Sequence, residues 1–296
     1  MNGMSAAVAA TLGVLVSSSA AFASSVNTIS NVVFVVDESG SMGGEQAFLE
    51  DFVLDLDADL DAAGVTDRSY GVVGYGRSTA GGAPRTIPSP ATLQNAADTK
   101  MSLGSLVTSG GFEDGYEAID FALDEFSFTP GAAVNFVLVT DEDRDVRGGS
   151  NLDFNSIFGA LSSQNILLNA VVNNSFSSDM GSAIGIDDSG EAYIADGSGG
   201  FVTATGGTAG SGAGTTKTDY VDLALDTGGA AWDLNLLRAG GASADSFAAA
   251  FLNIKVTEIT TQPPTDNRVI PLPAAGWMLI SGVAMLSGTR FLRRKT

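Results

Sequence analysis

"VVFVVDESGSMGG" (Val32–Gly44) is the stretch that decides the fold. Five apolar residues run without a polar break, the pattern of a strand buried on both faces of a sheet. They end in Asp37, and Ser39, Gly40 and Ser41 follow. Two readings fit an acid and two hydroxyls at the end of a buried strand. They are oxygen ligands for a hard cation, or they cap the helix that follows.

That helix is legible in the next residues. Phe48, Phe52, Leu56 and Leu60 recur every four positions, with Leu49 and Val53 beside them, which makes one apolar face at helical spacing. Tyr70–Tyr75 reads as a second strand, and Ala91–Val107 as a weaker helix interrupted by Gly104. Tyr116, Ile119, Leu123 and Phe126 form another helical face. Val134–Thr140 is a further buried strand and again runs into an acid, Asp141. Phe154–Leu161 reads as a short helix, Ile166–Val172 as a strand, Thr227–Leu234 as a short last strand and Ser243–Leu252 as a closing helix. Strands alternating with helices imply an α/β fold around a mostly parallel sheet.

Residues 175–218 break this rhythm. They are rich in Gly, Ser, Asp and Thr, and "EAYIADGSGGFVTAT" reads as a hairpin turning at Gly197–Gly200. The segment is an insertion on the rim of the sheet, and its "GGTAGSGAGTTKT" portion has the composition of a flexible loop.

The 296 residues hold 34 acids and 14 bases, a formal charge of −20. Four of the bases (Arg290, Arg293, Arg294 and Lys295) lie in the last seven residues, so the body is more acidic than the total. Such a surface repels phosphates and excludes nucleic-acid binding. It suits divalent cations, although acidity also serves solubility alone. Cys and His are absent. This removes thiolate and imidazole zinc sites, thiol nucleophiles, Ser-His-Asp triads and disulfides. Any metal must be held by oxygen, which means Mg²⁺, Ca²⁺ or Mn²⁺.

Both ends read as addresses. Ala6–Val16 is apolar and Ala21-Phe22-Ala23 fits a small-x-small cleavage rule, so residues 1–23 read as a secretory signal; a buried N-terminal helix is the competing reading. At the other end, residues 260–268 ("TTQPPTDNR") are polar and Pro-containing, as in a linker. Ala274–Thr289 is uncharged and mostly apolar, followed by a basic cluster. It is short beside the roughly 20 residues a span needs, with Arg290 placed to snorkel. The basic end would stay cytoplasmic and the body outside. Residues 269–296 resemble the PEP-CTERM sorting signal in its Val-Pro-Leu-Pro-Ala variant, carried by Pro271, Leu272, Pro273 and Ala274, the apolar helix and the basic cluster. The resemblance implies processing by an exosortase in a Gram-negative bacterium, transient anchoring in the inner membrane, and delivery to the cell surface or a biofilm matrix. A plain single-span anchor is the alternative.

In a parallel α/β sheet, ligands bind at the carboxyl ends of the strands. Asp37 and Asp141 end strands there, and Glu113 opens a helix behind Gly110 and Gly111 in "TSGGFEDGYEAI". Asp37, Ser39 and Ser41 alternate, so in an extended segment their oxygens face one way. Each residue also has an ordinary reading, as a helix cap, a loop acid or a favourable charge at a helix start.

"DESGS" after its strand resembles the metal-ion-dependent adhesion site of von Willebrand factor A domains. "FVLVTDED" resembles the later strand whose acid completes that site, "GGFEDGYEAI" the middle loop of the integrin β type, and "TGGAAWDL" the family's last strand. The resemblance covers residues 31–259. It implies a Rossmann-like doubly wound sheet flanked by helices, with Asp37, Ser39, Ser41, Glu113 and Asp141 as metal ligands. Asp114 is a rival to Glu113, and Glu45 and Asp143 are candidates for an additional ion. It further implies a non-enzymatic protein that captures an acidic-residue-bearing protein or matrix ligand through Mg²⁺. The alternative is a structural matrix protein whose divalent ion only stabilises the fold. A hydrolase would need a carboxylate base such as Glu142 in place of the missing His.

Overall fold

The structure, a computed structural model, describes residues 26–263. The signal read over residues 1–23 and the sorting tail over residues 269–296, with Pro271, Leu272, Pro273 and Ala274, lie outside the described residues. Strand β1 (Ile29–Asp37) is buried from Ser30 onward, as its unbroken apolar run requires. The chain continues through α1 (Glu45–Ala62), β2 (Asp67–Tyr75), β3 (Arg85–Thr86), α2 (Ala96–Leu103), α3 (Gly115–Glu125), β4 (Ala133–Thr140), α4 (Phe154–Ser163) and β5 (Leu167–Val172). Next come the strands of the insertion, β6 (Asn174–Ser178), β7 (Gly181–Ala183), β8 (Gly185–Asp187), β9 (Ala192–Ala195), β10 (Phe201–Ala204) and β11 (Thr208–Gly212). The last elements are α5 (Asp222–Asp226), β12 (Ala230–Asp233), α6 (Leu234–Arg238) and α7 (Gly241–Thr261).

Nine strands form one sheet in the order β10-β9-β8-β12-β5-β4-β1-β2-β3. The central five, β12-β5-β4-β1-β2, run parallel. This is the mostly parallel, helix-flanked α/β sheet expected of a Rossmann-like fold. Each face has its own core. Val32, Phe34 and Val36 pack with Leu49, Phe52 and Leu56 of α1 and Phe247 and Phe251 of α7. Val33 and Val35 point the other way, toward Tyr116 and Ile119 of α3 and Ile157 of α4. The period-two alternation inside β1 therefore feeds two layers.

The insertion is more ordered than its composition suggests. Strands β8, β9 and β10 extend the main sheet antiparallel to β12 and to one another. The hairpin between β9 and β10 turns over Asp196–Gly200, as expected, with Asp196 Oδ1 accepting from the Ser198 and Gly200 amides. The "GGTAGSGAGTTKT" portion is no loose loop: β11 pairs with β6 in a separate three-stranded sheet. Backbone pairing decides this, and glycines carry no side-chain pattern to announce it.

Two helix boundaries also differ from expectation. The Ala91–Val107 segment is helical only over α2, which Asn95 caps through the Asp98 amide. Helix α7 starts two residues before Ser243 and runs nine past Leu252, into the polar segment read as a linker. The reason is a buried polar cluster under the sheet's amino edge. Lys255, fully buried, donates to Asn135 at 3.1 Å and to Glu258 at 2.6 Å. Asn169 donates to Glu258 and accepts from the Trp232 indole at 3.0 Å. Gln262, 4% exposed, donates to the Val134 carbonyl at 2.9 Å. Lys255 and Glu258 of the helix and Gln262 at its end thus face the sheet, hidden from a reading by hydrophobicity. Among the described residues, no helix is long and apolar enough to cross a membrane.

Candidate functional site

Strand order reverses between β1 and β4, since β1 leads to β2 on one side and β4 to β5 on the other. A crevice opens at the carboxyl ends of such a pair. Asp37 lies there, in register with Tyr75 and fully buried. Its Oδ1 accepts from the Ser39 amide at 2.7 Å, and its Oδ2 from the Thr140 hydroxyl at 2.9 Å. Burial pushes its carboxyl up to about 7, against the Ser39 and Thr140 hydrogen bonds, and Asp141 adds a smaller push.

The hydroxyls converge through a turn, not through the extended segment that the alternation assumed: residues 39–41 bend, and the Met42 amide donates to the Ser39 carbonyl at 3.3 Å. Ser39 Oγ and Ser41 Oγ are 2.9 Å apart, and Ser41 Oγ donates to Asp141 Oδ1 at 2.9 Å. Ser41 has one proton and gives it to Asp141, so Ser39 is the donor in the hydroxyl pair. Each oxygen keeps a lone pair. Ser39 is buried and Ser41 exposed, so the row runs from core to surface.

Glu113 approaches from the other side. It is 1% exposed, and both of its carboxylate oxygens lack a hydrogen-bond partner among the described residues. Its backbone is clamped: Asp145 Oδ2 accepts from the Glu113 amide at 3.2 Å, and the Asp145 amide donates to the Glu113 carbonyl at 2.8 Å. Burial pushes the Glu113 carboxyl up to about 8, and Asp37, Glu142 and Asp145 push it the same way. Gly76, at φ +86°, separates the two buried acids. A Cβ there would lie 2.9 Å from Asp37 Oδ1 and 3.4 Å from Glu113 Cγ, so only glycine fits.

Asp141, 7% exposed, is engaged on both oxygens, by Ser41 and by Arg238 at 2.7 Å. Arg238 comes from α6 and also pairs with Glu45, which is 5% exposed.

Three further candidates are spent elsewhere. Asp114 caps α3 through the Tyr116 and Glu117 amides and pairs with Arg144 at 2.7 Å, whereas the Glu113 carboxylate is unpaired among the described residues. Asp143 accepts from the Thr215 amide at 3.2 Å and tacks the end of the insertion to the β4 loop. Glu45 is committed to Arg238 and to the Gly44 amide. In this arrangement Asp143 and Glu45 anchor neighbouring segments. Three contributing residues escaped the sequence reading: Thr140, Gly76 and Arg238. Asp145 alternates with Asp141 and Asp143 in "VTDEDRD", where Thr140 was also within reach of the motif. Arg238 carried no local signal, because it meets the site from 97 residues further along the chain than Asp141.

A groove of about 540 Å³ runs beside Glu113, floored by Gly76, Gly81, Gly82, Gly110 and Gly111, with Ser78 and Phe112 on its walls. Among the described residues, no three Asp or Glu side chains gather closely enough to hold an ion alone. A cation here would need other oxygens as well, such as hydroxyls, backbone carbonyls or water. The donor set does fit a hard ion: two hydroxyls with free lone pairs, and a buried carboxylate without a partner next to another whose ionisation burial resists.

Comparison with known protein families finds no match, and comparison with curated proteins finds none. Among solved structures, a von Willebrand factor type A protein from Catenulispora acidiphila is 19% identical at TM-score 0.36, over 49% of this chain and 33% of that one. A serine-substituted aerotolerance-related membrane protein from Bacteroides fragilis is 18% identical at TM-score 0.45, over 77% of this chain and 99% of that one. Proximal thread matrix protein 1 of the mussel byssus is 17% identical at TM-score 0.39, over 51% and 39%. The chain thus spans about a third of the first and two fifths of the third. The fold assignment rests on the strand order itself.

Proposed function

We propose that this chain is an exported, non-enzymatic binding protein of the von Willebrand factor A type that captures an acidic partner through a divalent cation. Ser39, Ser41 and Glu113 would hold the ion, with Asp37 and Asp141 supporting the hydroxyls and supplying negative charge. The observation that carries this is Glu113, a buried carboxylate near Asp37 whose two oxygens find no donor among the described residues. An unpaired buried acid costs several kcal/mol unless it is protonated or meets a cation. When bound, the ion supplies positive charge and an exchangeable position that a partner's carboxylate can take. The chain's own residues do the rest. Thr140 and the Ser39 amide orient Asp37, Asp145 fixes the Glu113 loop, and the glycine-floored groove leaves room for the partner.

Export is part of the same proposal. The leader, the sorting tail and the acidic body together suit a cell-surface or matrix protein of a Gram-negative bacterium, matured by an exosortase. The burial of Asp37 and Glu113 also favours a second reading, a matrix protein whose ion only stabilises the fold. Titration calorimetry of Mg²⁺, Mn²⁺ and Ca²⁺ into the full-length chain, with Asp37→Ala as control, tests the site. Capture of matrix components with and without EDTA separates the readings. An adhesive ion controls capture, whereas a stabilising ion shifts only the melting temperature. Absence of heat from all three ions overturns the metal site.

A further inference from the structure

A cavity of about 440 Å³ opens at the amino edge of the sheet, far from the crevice at the carboxyl ends. Leu167 and Ile254 give it apolar wall, Asp188, Glu191 and Glu258 give it carboxylates, and Pro263 stands at its margin. The acids are short of cations. Lys255 and Asn169 both donate to Glu258 Oε2, and neither reaches Oε1. Asp188 and Glu191 are exposed and form no ion pair among the described residues. The turn that carries them is set, because Asp187 Oδ1 accepts from the Ser189 amide at 3.0 Å and the Glu191 amide at 2.9 Å.

The described residues end at this cavity, and the direction in which the chain leaves is fixed. Gln262 is held by the Val134 carbonyl, and its own carbonyl accepts from the Asn27 side chain. Its ψ of 138° ends the helix, and Pro264 keeps Pro263 extended. In sequence the next base is Arg268, the only one between Lys255 and Arg290, and the apolar pair Val269 and Ile270 follows it. Five residues span at most about 17 Å, so Arg268 stays within reach of the cavity from Pro263.

We propose that residues 264–270 fold back across this cavity as a strap. The Arg268 guanidinium is set among Asp188, Glu191 and Glu258, and Val269 and Ile270 lie against Leu167 and Ile254. One planar cation with five donors serves several carboxylates at once, and the apolar pair covers wall that otherwise meets water. The polar segment that reads as a linker is then a fixed attachment. It ties whatever follows Ile270 to the amino edge, so the carboxyl edge with Asp37 and Glu113 faces away from the tail. The strap stands independently of the cation reading.

The experiment uses the full-length chain in detergent micelles, with Arg268→Lys, Arg268→Glu and the double variant Asp188→Asn, Glu191→Gln. A carbodiimide joins the amine introduced by Arg268→Lys to carboxylates in contact with it. Mass spectrometry should find the join on Asp188, Glu191 or Glu258, and within one chain when light and isotope-labelled protein are mixed. Joins between light and labelled chains assign the cavity to a second copy, and joins to other acids alone leave it without the segment; either result overturns the strap. Amide exchange over residues 188–191 and 257–262 should quicken about threefold to tenfold in Arg268→Glu. The double variant should exchange as fast, and adding Arg268→Glu to it should change nothing further. Additive losses place Arg268 elsewhere and overturn the strap. Exchange in Arg268→Glu equal to wild type overturns it too, whatever an ion titration shows.

Discussion

Two buried polar clusters sit at opposite edges of the same sheet. At the amino edge, Lys255, Glu258, Asn135, Asn169, Gln262 and Trp232 form a closed network in which a buried cation meets a carboxylate and the amides are paired. At the carboxyl edge, the Glu113 carboxylate has no partner among the described residues, and Asp37 is pushed up to about 7. The first cluster completes itself and holds α7 in place. The second is incomplete without a proton or a cation. Closed networks rigidify, and open ones mark places where the fold has given up stability for function.

The contrast can be broken from either side. Lys255→Ala leaves Glu258 without its ammonium and should cost about 3–5 kcal/mol, measured by denaturant unfolding, because removing one member of a buried pair strands the other. A Lys255→Met, Glu258→Gln double variant should recover most of that loss. At the carboxyl edge the sign inverts. Glu113→Gln removes an uncompensated acid, so the chelated protein should become more stable at pH 8 while cation affinity falls about 100-fold. A loss of stability there would show that Glu113 is already satisfied.

The pH profile sharpens the comparison further. Asp37 and Glu113 ionise near 7 and 8 when folded, above their ordinary range near 4. Between these limits the folded chain binds more protons than the unfolded one, so stability falls as pH rises through the window. In EDTA, the unfolding midpoint should therefore drop from pH 5 to pH 8.5. Saturating Mg²⁺ should oppose the drop, because ion affinity grows as the carboxyls deprotonate. The smallest effect expected is from Asp143→Ala. Loss of its hydrogen bond to the Thr215 amide should cost about 1 kcal/mol and raise amide exchange around residues 213–216 without touching ion affinity.

Much of the fold was open to reading in one dimension. The five-residue apolar run of β1 appears as a strand buried on both faces, and the four-residue recurrence in α1 as its core-facing stripe. Strand β11 was invisible, because its pairing with β6 is made by backbone groups of Gly-rich sequence. The extent of α7 was hidden because Lys255 and Gln262 are polar yet buried. At the site, the Asp-x-Ser-x-Ser motif announced the hydroxyls, and a turn brought them together. The roles of Asp114, Glu45 and Asp143 depended on Arg144, Arg238 and Thr215, each 30 or more residues away.

The amino-acid order by itself determined the oxygen-only chemistry and the buried strands ending in acids. Those are properties of residue type and of the short-range geometry of the chain. Tertiary structure alone decided which acids are paired and which are left open. Whether a carboxylate finds a donor depends on groups delivered by distant segments, and burial sets what an unanswered charge costs.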